Sequence, residues 1–144
     1  MKVVELMRPD VRTIGVKDML VDAMVALRDA GISALPVLDE NWKPIAVVTN
    51  QDVIAASLKD RNNDGGRGPD QIPIPEVMSP WPPVVDPDTL VADAARMMSY
   101  LDIKRVFVVD QDKVVGVLSQ TDIVDALATA RLEASGWAEN RSDP

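Results

Sequence analysis

Apolar residues recur along this chain with two alternating periods. Met19, Ala23, Leu27 and Ala30 are spaced as one face of a helix, and the spacing returns over Leu90, Ala94, Met98 and Leu101. Each set predicts a helix with one buried stripe. The runs that follow, ALPVLD and RVFVVD, then PIAVVT and VVGVLS, are short, rich in β-branched residues and separated by polar turns. That pattern predicts a pair of strands joined by a hairpin in each half. A second helix is predicted from near Gln51 and again from near Thr121, with Ile54 and Leu58, or Val124, Leu127 and Ala128, on its inner side. A short strand near RTIGV or PVVDP opens each half, so the order β-α-β-β-α is predicted twice.

The two halves are copies. At one constant offset Glu5 meets Glu76, Met7 meets Met78, Pro9 meets Pro80, Asp22 meets Asp93, Ala23 meets Ala94, Ile32 meets Ile103, Val37 meets Val108 and Asp39 meets Asp110. One residue is lost in the hairpin turn, after which Val47 meets Val117, Thr49 meets Ser119, Asp52 meets Asp122 and Ala56 meets Ala126. A self-similar register of this kind marks a tandem duplication. The expected organisation is a first repeat over 1–58, a flexible linker over 59–73 (KDRNNDGGRGPDQIP, rich in Gly, Asp and Asn), a second repeat over 74–130 and a polar tail over 131–144. A half of about 60 residues buries too little surface to be stable alone. The fold class expected is therefore α/β (α+β), with the two repeats packed about a pseudo-twofold axis that presents two related sites.

Composition narrows the chemistry. A 144-residue chain with 47% hydrophobic and 26% charged residues suits a globular protein. A formal charge of -8 disfavours nucleic-acid backbones, which are held by clustered Lys and Arg. With no Cys and no His, disulfides, Cys-His zinc sites, thiol chemistry and histidine acid-base catalysis are excluded. No apolar run approaches the ~20 residues that span a bilayer, and MKVVELMRPD lacks the features of a signal peptide, so a cytoplasmic protein without membrane attachment is expected.

The ordered set M-x-P, D-A within a helix, I-x-x-x-P-V-x-D and G-V-x-[ST]-x-x-D resembles the CBS domain, named after cystathionine beta-synthase, and the tandem pair resembles a Bateman module. The resemblance covers residues 3–58 and 74–130. It implies adenosine-containing ligands, such as AMP, ADP or ATP, S-adenosylmethionine or cyclic di-AMP, bound in clefts between the repeats. The copies differ at two motif positions: Ala46 stands where the second has Gly116, and Pro36 where the second has Phe107.

VVTNQD and VLSQTD each end an apolar run with a hydroxyl residue and place a carboxylate three positions later. Physically this is the capping-box pattern, in which Thr49 or Ser119 caps a helix and Asp52 or Asp122 reaches back to it. The resemblance implies a second use: Asp52 and Asp122 would accept hydrogen bonds from ribose hydroxyls, and Thr49, Ser119 and Thr121 would face ribose or phosphate at a helix N-terminus. Lys104 and Arg105, opposite Ser33 and Ala34, resemble the family's phosphate-binding positions, or else merely solvate a strand entrance. Val85 and Val106, or Ile14 and Leu35, would lie beside adenine, or else serve as ordinary core. The second site is expected to be the stronger.

Asp60, Asn62, Asp64 and Gly65 match the start of a calcium loop, but Gln71 stands where a bidentate Glu is needed and Pro69 obstructs the following helix, so no metal site is expected. Trp42, Trp81 and Trp137 suggest at most contact with a partner chain. The reading as a whole is a non-catalytic, energy-sensing regulatory module that binds an adenine nucleotide and signals to an effector protein. By resemblance it forms a homodimer. The competing reading is a scaffold that oligomerises without binding ligand.

Overall fold

The computed structural model describes residues 1–61 and 66–134. Two compact units are present, and they do not coincide with the two sequence copies. One comprises Met1–Asp10, Pro83–Asp110 and the chain from Val115 onward; the other comprises Val11–Pro82 with Gln111–Val114. The leading segment of each copy thus packs with the body of the other copy.

In the Val11–Pro82 unit, β1 (Ile14–Gly15), α1 (Leu20–Ala30), β2 (Ala34–Leu38), β3 (Pro44–Thr49) and α2 (Asn50–Arg61) follow the expected order. β1 runs parallel to β2, β2 pairs antiparallel with β3, and a further strand, β4 (Ser79–Pro80), closes the sheet antiparallel to β3. The second copy repeats the order as β5 (Val84–Val85), α3 (Val91–Leu101), β6 (Arg105–Asp110), β7 (Lys113–Ser119) and α4 (Gln120–Ala134). Its sheet is β5-β6-β7, and Arg8 bridges antiparallel to Val117 where β4 lies in the other sheet.

The exchanged segments are tied down by matching hydrogen bonds. Val3 donates to the Thr89 carbonyl and Val91 to that of Met1; correspondingly, Ile74 donates to Asp18 and Leu20 to Ile72. Val3 and Ile74 are fully enclosed, each worth about 1.5–3 kcal/mol of apolar burial. Two single-residue bridges, Lys2 to Leu90 and Pro73 to Met19, add to the docking. The end of the spacer expected over 59–73 therefore belongs to the fold: Ile72 is buried, Pro69 accepts from the Val21 N–H, and α2 itself reaches Arg61.

Several expectations need correction. Ile54, Leu58, Val124, Leu127 and Ala128 lie exposed rather than on an inner side, and Val53, Ala56 and Ile123 pack inward instead. The caps at Thr49 and Ser119 fix the helix phase, and they turn the fourth helical residue, Val53 or Ile123, to the core. Ala30, Leu90 and Leu101 are also exposed, because they sit at the ends of their helices; the buried faces are Leu20, Ala23, Ala26 and Leu27, and Ala94 and Met98. α4 continues to Ala134, past the expected start of the tail at Arg131. Asn62, Asp64, Gly65 and Trp137 lie outside the described residues.

Candidate functional site

Each copy ends its hairpin in a complete capping box. The Thr49 N–H donates to Asp52 Oδ2 at 2.8 Å while the Asp52 N–H donates to Thr49 Oγ1 at 3.2 Å. Ser119 and Asp122 make the same two bonds, each 3.1 Å. Two otherwise orphaned donors at each helix start are thereby satisfied. The preceding chain is fixed as well: Asn50 donates to the Ser33 carbonyl and Gln120 to that of Lys104, both across the start of the neighbouring strand.

The second carboxylate oxygen is where the two sites part. In the Val11–Pro82 unit, the Ser79 hydroxyl donates to Asp52 Oδ1 at 2.7 Å. Around Asp122 the corresponding partner is Arg8, whose Nε and Nη2 donate to Oδ1 at 3.2 and 3.1 Å. Arg8 and Ser79 occupy the same place in the repeat, the middle of M-x-P, and β4 or its single-bridge counterpart delivers each to the carboxylate. Asp122 is 8% exposed, while the Arg8 side chain is 73% exposed. Burial raises the Asp122 pKa, but hydrogen bonds from the Ser119 side chain and backbone and from Arg8, with the Arg8 charge, outweigh it and hold the carboxyl below its usual range.

The other predicted residues divide by role. Arg105 begins β6 half-buried and Lys104 precedes it exposed; among the described residues neither side chain has a hydrogen-bond or ion-pair partner. Thr121 is exposed in the first turn of α4. Val85 and Val106 pack with Val108, Leu118 and Ile123 in one hydrophobic cluster, and Ile14 and Leu35 pack in the other. Leu35 and Val106 are essentially enclosed, so their side chains serve the core.

A hollow of about 400 Å³ lies beside Asp122, lined also by Met1, Leu6, Asp125, Ala126, Thr129 and Ala130. In the other unit a hollow of about 360 Å³ includes Ile14, Gly15, Asp18 and Trp42 but neither Thr49 nor Asp52. The structure thus gathers the polar set at each helix start, while neither hollow unites it with the apolar residues expected beside adenine. Sequence reasoning missed Arg8 and Ser79. The repeat register displays them as equivalent, but that each faces the carboxylate of the other copy follows only from the exchanged leading segments. Among the described residues no cluster of three or more carboxylates, Cys or His is arranged to hold a metal.

Comparison with known proteins agrees with this architecture. The CBS domain family matches residues 3–59 and 74–129. The uncharacterized protein MJ1404 of Methanocaldococcus jannaschii is 31% identical over 134 residues, covering 88% of this chain and 32% of its own length. The chloroplastic CBS domain-containing protein CBSX2 of Arabidopsis thaliana is 30% identical over 134 residues, covering 78% of this chain and 56% of its own. The chain thus spans from just under a third to just over half of the length of these relatives. A crystal structure of CBSX2 in complex with AMP superposes with a TM-score of 0.74 at 26% identity, covering 90% of this chain and 98% of that one. A putative acetoin utilization protein from Vibrio cholerae superposes at 0.76 with 25% identity, covering 100% and 98%. Both copies match in sequence and the sheets and helices match in order, so the chain belongs to the CBS domain family and carries two copies of the domain in tandem.

Proposed function

We propose that this chain is a non-catalytic regulatory module that binds an adenosine-containing nucleotide of the AMP, ADP or ATP class at the helix starts carrying Asp122 and Asp52. The observation that carries the proposal is the Asp122 site: a nearly buried, ionised carboxylate at a helix N-terminus, bonded to Ser119 and Arg8, with the start of β6, which carries Lys104 and Arg105, tied to the same helix start by the Gln120 N–H to Lys104 carbonyl bond. An ionised carboxylate has about four acceptor positions; the Ser119 N–H takes one on Oδ2 and Arg8 covers Oδ1, which becomes open to ribose hydroxyls when the guanidinium turns away. Cations and the dipole end of α4 favour a phosphate nearby. CBSX2, similar over most of this chain, has been crystallised with AMP, which supports the same ligand class here. S-adenosylmethionine and cyclic di-AMP share the adenosyl unit and belong in the same test.

Signalling would follow from differential affinity: the ligand shifts a conformational balance only by the difference in its affinity for the two states. The exposed Ile54 and Leu58 on α2, and Val124 and Leu127 on α4, supply apolar faces for a homodimer. An effector protein would read the change. No helix among the described residues is long and apolar enough to cross a membrane, and a nucleotide ligand suits a cytoplasmic setting. The completed capping boxes favour one rival, a scaffold in which both aspartates only cap helices.

A thermal-shift screen of AMP, ADP, ATP, S-adenosylmethionine, NAD and cyclic di-AMP separates the two. A ligand at ~100 times its Kd adds ~2.7 kcal/mol to native stability, a shift of several degrees. A flat response to every compound at millimolar concentration favours the scaffold.

A further inference from the structure

The two helix starts share the same capping geometry, but one has cationic residues where the other has neutral ones. Arg8 pairs with Asp122, and Lys104 and Arg105 stand at the β6 start bonded to the same helix start; the residues at the corresponding positions near Asp52 are Ser79, Ser33 and Ala34. Three cationic positions in one site answer to none in the other. Of the three, only Arg8 touches the carboxylate, and it does so through Oδ1 while Oδ2 is engaged by the Ser119 N–H. Its side chain is mostly solvent-exposed, so the guanidinium can leave Asp122 without opening the core.

We propose that Arg8 is the specificity-determining residue of the Asp122 site, selecting a phosphorylated nucleoside, whereas Ser79 leaves the Asp52 site to an uncharged one. This rests on the nucleotide-binding reading above and adds to it which charge each site takes. Without ligand, Arg8 neutralises Asp122 and occupies an oxygen that ribose hydroxyls would use. A nucleoside with no phosphate must displace the guanidinium and offers it nothing in return. A nucleoside monophosphate displaces it toward its own phosphate, where Arg donates through a planar fork to two oxygens at once. The Arg8 contact therefore penalises adenosine and rewards AMP. At Asp52, the Ser79 hydroxyl is neutral and can redirect its hydrogen bond, so no such penalty or reward applies.

The test is isothermal titration of AMP and of adenosine into the full chain, its Arg8→Ser variant and its Ser79→Arg variant, each first checked for native circular dichroism. Arg8→Ser should weaken AMP by about ten- to a hundredfold at the Asp122 site, the range for losing a charge-assisted contact. Adenosine should bind that site equally well or more tightly, because the carboxylate has been released. Ser79→Arg should give the Asp52 site a preference for AMP over adenosine that it lacks in the parent. Parallel losses of AMP and adenosine in Arg8→Ser would show that Arg8 only organises the site, and an unchanged AMP-to-adenosine ratio would show that it does not discriminate. Either result overturns this inference while parental AMP binding keeps the nucleotide reading intact. If the parent chain binds neither compound, both fall together. Should Arg8→Ser lose its native spectrum, Arg8→Gln, a shorter, uncharged side chain that keeps one NH2 donor group, must show the same opposite shifts.

Discussion

Replacing Asp122 by Ala separates the structural work of this carboxylate from any work on a ligand. In the absence of nucleotide it does two things: it accepts the Ser119 N–H in the capping box, and it pairs with Arg8. Loss of the cap contact costs about 1 kcal/mol. The ion pair is one-sided in exposure, with Arg8 at 73%, so its loss adds about 0.2–1 kcal/mol, as for surface pairs. The expected total is about 1–2 kcal/mol at pH 7, read as a lower urea midpoint by circular dichroism at unchanged slope. The pH dependence has a definite sign. The carboxyl is held below its usual range in the folded chain, so its contribution is fully present above the unfolded value of about 3.9 and is lost as pH falls through the lower folded value. The gap between parent and Asp122→Ala should therefore be constant from pH 8 to about 5 and close below about pH 4. Raising salt to about 1 M should shrink it by the ion-pair share alone. A cost above about 4 kcal/mol, or a gap that widens on acidification, would refute the reasoning.

Three further predictions follow from the paired copies. Gly31 and Asp102 both end their helices in the left-handed region, at φ 62 and 54, and a non-glycine there is strained while a carboxylate opposes the helix dipole; Asp102→Gly should raise stability by about 0.5–1 kcal/mol in thermal unfolding, and Gly31→Ala should lower it by a similar amount. A Cβ at Gly116 would press on the Met7 side chain and stand 3.1 Å from the Arg8 carbonyl, so Gly116→Ala should cost about 1–3 kcal/mol as overpacking, whereas Ala46→Gly should show no relief of strain. Ile54 and Leu127 are 58% and 64% exposed; Ile54→Glu with Leu127→Glu should leave urea stability within about 0.5 kcal/mol and, if these faces form the dimer, yield a monomer in sedimentation.

Much of the fold was legible because the signals are local. The order β-α-β-β-α, the helix starts beside Thr49 and Ser119, and the equivalence of Asp52 with Asp122 follow from periodicity, cap chemistry and repeat register. The exchange of leading segments was not legible, since Val3 docking at Thr89 and Ile74 at Asp18 are long-range pairings with no local signature. Arg8 was hidden for the same reason: its partner is 114 residues away. The exposed Ile54 and Val124 misled because an apolar residue near a helix start reads as core, while the cap phase decides which neighbour actually faces inward. Leu35 and Val106 illustrate a limit of another kind: apolar positions carry the same pattern whether they line a ligand or fill a core.

The central claim, that Asp122 holds the ribose of an adenine nucleotide, is tested most directly by a crystal structure of this chain grown with AMP. The prediction is ribose hydroxyl oxygens within about 2.5–3.0 Å of the Asp122 carboxylate, the range for O–H donors to an oxygen acceptor, with the capping box to Ser119 retained and the Arg8 guanidinium turned to the phosphate. AMP bound with its ribose elsewhere, or an Asp122 site still closed by Arg8 at saturating AMP, would contradict it.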